Sequence, residues 1–137
     1  MSRDTTTGTS YEKEIENLLE EFSIHDFKRQ VNIGEKRNGG KHYIDILLNG
    51  RELISLKYQK VQGTAEEKIP FEFMKLQDAI DDHKYQSATI VLAGPDEAWK
   101  WKDYYLSDTF CDKMKKIYPD VRIISHNQFV KEYLINE

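Results

Sequence analysis

Two residues of opposite charge, Asp45 and Lys57, interrupt the apolar runs of YIDILLNGRELISLKYQK, residues 43–60. Taking a charge out of water is costly, so two of opposite sign on neighbouring strands are either a structural ion pair or part of a reaction centre. The turn between them decides whether they can meet. If Asn49-Gly50 were a two-residue loop, Asp45 would stand opposite Ile54, and Ser55 and Lys57 would point to the other face. A three-residue loop, Leu48-Asn49-Gly50, with a type I turn and Gly50 left-handed as a bulge, puts Asp45, Leu53, Ser55 and Lys57 on one face. Tyr43 and Leu47 join that face, and Ile44, Ile46, Ile54 and Leu56 take the other. The bulged loop is expected, because it alone lets the two charges compensate each other.

The elements that must position this hairpin follow from spacing and turn chemistry. Thr9-Ser10-Tyr11-Glu12 has the pattern of a capping box, and Tyr11, Ile15, Leu18, Leu19 and Phe22 follow at helical spacing, giving a helix over about 10–22. FKRQVNIGEKR, HYIDILL and ELISLKYQ are three strands, separated by the NGGK turn and by Asn49-Gly50. GTAEEK opens a second helix, running to about Asp82, with a second capping box. SATIVLAGP is a fourth strand, a helix covers about 97–117, and VRIISH is a fifth strand before a short C-terminal helix. The order is α-β-β-β-α-β-α-β-α, an α/β chain with a mixed central sheet flanked by helices.

Length and charge narrow the function classes. At 137 residues the chain fits one domain, expected over 10–137 behind a flexible leader of residues 1–9. The lone Cys111 excludes an intrachain disulfide and points to a reducing compartment. The N-terminal MSRDTTTGTS has no apolar signal region and no stretch is long enough to span a membrane, so a cytoplasmic address is expected. The net charge of −4, from 20 basic and 24 acidic residues, gives no global attraction to nucleic acid, so such a partner would have to be met by a local patch.

The element order, with an acid on the second strand and a lysine preceded two positions earlier by a polar residue on the third, resembles the PD-(D/E)xK nuclease superfamily. That group includes many restriction endonucleases and Holliday-junction resolvases. The likeness runs over roughly residues 10–125. It implies that Asp45 is the metal-binding aspartate, that Lys57 is the catalytic lysine, and that Glu14, on helix one, matches the glutamate many resolvases carry there. Ile44 stands where the motif has proline, and Ser55 stands where the acid of the acid-x-lysine pair belongs. SLK resembles a subgroup of restriction enzymes with Ser-x-Lys on the strand and the missing glutamate on the following helix. Glu72 is the candidate, at the edge of a stripe of Ile69, Phe73, Leu76, Ala79 and Ile80. Glu66 and Glu67 are the alternatives, Glu67 being occupied at the capping-box position.

Phosphodiester hydrolysis needs the phosphate charge neutralised and hydroxide supplied near neutral pH, which Mg²⁺ on carboxylate oxygens does, with Mn²⁺ able to substitute. The resemblance therefore implies Asp45 and Glu72 as metal ligands and Lys57 as the residue on the attacking water and scissile phosphate, with Ser55 bonding a metal-bound water. A Lys28, Arg29, Lys36, Arg37, Lys41 cluster on the first strand and glycine-rich turn, with Lys60 and Lys68 beyond Lys57, is the local basic patch. Lys36, Arg37, Lys41 and Lys60 are the candidate DNA contacts. His42 and His126 lack metal-ligand spacing and are left out of the site, and the aromatics of WKWKDYYL are expected to pack a helix. Two functions remain: a Mg²⁺-dependent, homodimeric DNA endonuclease of the restriction, junction-resolving or homing type, and a catalytically inactive DNA-binding or assembly subunit on the same fold, which Ser55 keeps open.

Overall fold

The computed structural model describes residues 8–135. Most of the leader expected over 1–9 lies outside the described residues, as does the Thr9 side chain assigned to the first capping box. The apolar spacing of Tyr11, Ile15 and Leu19 becomes the buried face of helix α1 (Gly8–Glu21), which begins before Ser10, so the expected cap position is already helical. Phe22 falls just past the helix and is exposed.

Five strands form one mixed sheet in the order β1-β2-β3-β4-β5. β1 (Phe27–Glu35), β2 (Lys41–Leu48) and β3 (Glu52–Tyr58) are an antiparallel meander. From β3 onward the pairing is parallel, through β4 (Ser87–Ala93) and β5 (Val121–Ser125). Parallel neighbours need a crossover, and α2 (Ile69–His83) supplies the one between β3 and β4. β4 is covered on both faces, which explains the unbroken apolar run of SATIVLA. The expected α/β class and mixed, helix-flanked sheet are therefore observed.

Two apolar layers hold the sheet. On one side α2 packs Ile69, Phe73, Leu76, Ala79 and Ile80 against Leu53, Ile90 and Leu92. On the other, Tyr11, Ile15 and Leu19 of α1 meet Ile46, Ile54, Leu56 and Val91, with Phe129 and Leu134 of the C-terminal segment closing the layer. That segment is α5 (His126–Phe129) continuing as a π-helical stretch, Val130–Ile135.

Three expectations are corrected. The second helix is preceded by a short 3-10 turn, Ala65–Lys68, and Thr64 makes no side-chain cap, so no capping box forms there. The helix expected over 97–117 is broken into a 3-10 turn Asp96–Ala98, α3 (Lys102–Tyr105) and α4 (Asp108–Ile117). Ser107 breaks it: extended, with its hydroxyl accepting from the Phe110 N–H, it caps α4 instead of continuing α3. The third concerns Ile44, which packs with Leu53 and Phe73 under α2 and not with Ile46 and Ile54. The β2–β3 ladder ends at Ile46 opposite Ile54, so the pairing that fixes the facing of Ile46 does not extend to Ile44.

Candidate active site

Leu48 pairs with Glu52, so the hairpin loop is Asn49-Gly50-Arg51. Both Asn49 (φ 56°) and Gly50 (φ 70°) are left-handed, as a primed turn requires, and the Arg51 N–H donates to the Leu48 carbonyl. The loop has the expected three residues, but the extra one is Arg51 and not Leu48, and the turn is not type I. The parity is nevertheless the one the charges demand. The ladder pairs Ile46 with Ile54 and stops there; Asp45, the next residue, reaches the Leu56 N–H, while Ser55 and Lys57 turn toward Glu72.

Asp45 sits where the ladder ends, and its carboxylate replaces the missing rung. Oδ2 accepts from the Leu56 N–H at 2.7 Å, and Oδ1 accepts from Gln30 Nε2 at 3.3 Å. Burial raises its carboxyl from the ordinary 3.8 to about 6. The Leu56 N–H and Lys57 work to lower it, but Glu12 and Glu72 add to the rise.

Glu72 projects from the first turn of α2 onto β3. Ser55 donates to its Oε2 at 2.7 Å, while Lys57 and Lys75 lie 3.4 and 3.1 Å from its Oε1. Burial works to raise this carboxyl, but the two ammonium groups and the Ser55 hydroxyl outweigh it and hold Glu72 below its ordinary range. The structure thus brings together Asp45, Ser55, Lys57 and Glu72 at the middle of the sheet. The direct partner of Lys57 is Glu72, with Asp45 reached through charge alone.

Glu14 is placed elsewhere. It is exposed on the flank of α1 that faces His126, lining a hollow with Tyr11, Tyr58 and Lys102. The α1 glutamate beside Asp45 is Glu12, whose Oε1 accepts from Gln30 Nε2 at 2.7 Å, the same amide that reaches Asp45. Glu12 and Glu16 also hold Arg29, at 3.5 and 2.9 Å. Glu66 serves a loop: its Oε1 accepts from the Trp101 N–H at 2.7 Å and its Oε2 from Gln59 Nε2 at 3.1 Å. Glu67 is exposed.

Sequence reasoning missed Glu12, Gln30, Lys75 and His42. Lys75 was legible as a residue one turn from Glu72 on the same helix. His42 is buried, which pushes its imidazole below its ordinary value, and Glu72, Lys75, Lys36 and Lys57 all bear on it. Nothing in its spacing marked it, because alternation along a strand does not say which side chains of other elements face a residue. Of the basic candidates, Lys41 and Lys60 are exposed and Lys36 is half-buried. Arg37 makes a two-point pair with Asp78 of α2, at 2.7 and 3.0 Å, which ties the glycine-rich turn to the helix. Trp99 is buried with its indole N–H on the Ala93 carbonyl, whereas Trp101 and Tyr104 are exposed, so WKWKDYYL is only partly a packing segment.

Oxygen donors of Asp45, Glu72 and Ser55 are the hard ligands that Mg²⁺ or Mn²⁺ prefers. Asp45 is the observation that fits a cation here: it is a half-buried carboxylate whose neighbours do not balance its charge. Among the described residues no group of three or more His, Cys, Asp or Glu side chains is arranged to hold a metal. An ion on these residues would therefore retain several waters, as Mg²⁺ commonly does. Among the described residues, no helix is long and apolar enough to cross a membrane.

A family model described as the PD-(D/E)XK nuclease superfamily domain matches residues 3–130. No curated protein and no solved structure matches the chain.

Proposed function

Because the chain belongs to the PD-(D/E)XK nuclease superfamily, whose members generally use divalent metals, we propose that it is a Mg²⁺-dependent endodeoxyribonuclease. One observation carries this reading. Ser55 and Lys57, two positions apart on one face of β3, both reach Glu72 of α2. That contact supports Glu72 as the carboxylate standing in for the one absent from the strand.

In this reading Asp45 and Glu72 hold the ion, which when bound supplies neutralisation of the charge that develops on the phosphate. Lys57 meets the scissile phosphate and orients the attacking water. Ser55 fixes the Glu72 carboxylate through its 2.7 Å bond, and the Leu56 N–H fixes Asp45. Glu12 takes the part assigned to Glu14, since it shares Gln30 with Asp45. Lys36, Lys41 and Lys60 provide contacts along the DNA backbone. The protein works in the cytoplasm as a homodimer, because one site of this size cuts one strand.

A second reading, a catalytically inactive DNA-binding or assembly subunit, draws support from a specific fact: both oxygens of Glu72 are already engaged by Ser55, Lys57 and Lys75. Nicking of supercoiled plasmid and of a four-way junction, with Mg²⁺, Mn²⁺ or EDTA, separates the two. Cleavage by the wild type that needs the metal and is lost in Asp45→Ala, Lys57→Ala and Glu72→Ala supports the nuclease. DNA binding with no cleavage in either metal supports the subunit.

A further inference from the structure

The inward stripe of α2 is Ile69, Phe73 and Leu76, so Phe71 points away from the sheet and is 53% exposed. An exposed aromatic is by itself unremarkable in a folded protein. What sets Phe71 apart is its neighbour: the Lys75 ammonium lies 5.5 Å from the centroid of its ring, and the same ammonium lies 3.1 Å from Glu72 Oε1. Ring, cation and carboxylate therefore form a row along the first turns of the helix. Lys57 adds a second ammonium on that same oxygen at 3.4 Å. A nucleotide has a flat apolar base and an anionic phosphate a short distance away, and a ring adjoining an ammonium is its complement.

We propose that Phe71 and Lys75 form a nucleotide subsite beside Glu72, the ring stacking on the base next to the scissile phosphate and the ammonium holding its phosphate. The subsite selects DNA in which that base is already unpaired. The selection follows from a comparison of two effects: unpairing and unstacking a base from a duplex costs as much as stacking on one ring returns. A single phenyl ring therefore captures a free base and does not extrude a paired one. The subsite rests on the nuclease reading for its biological use, but its binding step can be observed without cleavage.

The test is binding of the full chain in EDTA to two oligonucleotide duplexes, one complete and one carrying a single bulged 2-aminopurine, measured by anisotropy and by 2-aminopurine fluorescence. The wild type should prefer the bulged DNA and quench its fluorescence. Phe71→Ala should lose affinity for the bulged form by about 5- to 150-fold relative to the complete duplex, and Phe71→Trp should retain it. Equal affinity of the wild type for both duplexes, or a Phe71→Ala effect of the same size on both, overturns the proposal. So does stronger binding to a single-stranded RNA of the same sequence than to the bulged DNA. Phe71-dependent preference without metal-dependent nicking would leave the subsite standing and remove the nuclease. Nicking by a protein indifferent to Phe71 would do the reverse.

Discussion

Replacing Asp45 by Asn should make the metal-free protein more stable at neutral pH while destroying the reaction. Asp45 is half-buried with Glu12 and Glu72 bearing on it, and its carboxyl is raised from 3.8 to about 6. A raised value means that the folded chain keeps this proton more tightly than the unfolded chain. The stability it contributes is complete below about pH 4 and is lost as the pH climbs through about 6. The displacement from 3.8 to about 6 corresponds to a loss of about 3 kcal/mol by pH 7. Asparagine preserves an acceptor for the Leu56 N–H and removes the charge. Glu72, Glu66 and Glu132 are held below their ordinary range, so their contributions run the other way and fade as the pH falls. Glu66 and Glu132 occur in both proteins and cancel in the difference, and the repulsion between Glu72 and Asp45 is already contained in the Asp45 displacement. Urea unfolding in EDTA at pH 4 to 7 should show Asp45→Asn gaining on the wild type, from near zero at the acid end to about 3 kcal/mol at the neutral end. Mg²⁺ at a hundredfold excess over its Kd should then stabilise the wild type alone, by about 2.7 kcal/mol. A difference that stays flat across this range, or an asparagine variant that is weaker at pH 7, would refute the reasoning.

Glu72→Ala should abolish metal-dependent nicking and lower stability by about 3 kcal/mol in urea unfolding, since it leaves Lys57 and Lys75 facing each other without the carboxylate between them. Ser55→Ala, which removes one hydrogen bond, should cost about 1 kcal/mol. In single-turnover cleavage Glu12→Gln should slow the reaction more than Glu14→Gln; the opposite ranking would return the α1 role to Glu14. Substituting Lys36 and Lys41 together should shrink the slope of log affinity against log salt by up to about two. Adding Arg37→Ala should contribute less than one more, because Arg37 already carries Asp78 as its counterion.

The fold was legible because its signals are local. Apolar spacing marked α1 and α2, Asn49-Gly50 marked the hairpin, and an unbroken apolar run marked β4. Parity along two strands placed Asp45 with Ser55 and Lys57, and the edge of a helical stripe placed Glu72 toward β3. What stayed hidden depends on how elements cross. Glu12 and Glu14 are separated by about 200° around α1, so choosing between them requires knowing which flank of the helix overlooks β2, and no residue of the helix records that. His42 alternates with exposed neighbours as any strand residue would, and nothing in that pattern records that Glu72, Lys57 and Lys75 bear on it. Phe71 was outside the stripe and unremarkable until Lys75 was seen to bridge it to Glu72.

The single extra residue at the hairpin tip acts on the site as a reading frame acts on a message. Leu48 faces Glu52 because Arg51 is inserted after the Asn-Gly pair. Losing or gaining one residue there would move β2 by one step, turn Asp45 away from Ser55, and carry Ile46 and Leu48 out of the α1 layer. Losing or gaining two would restore the phase. Relatives that keep this chemistry should therefore vary the tip in even steps. An odd change, invisible to any count of catalytic letters, would mark a chain that has given the reaction up.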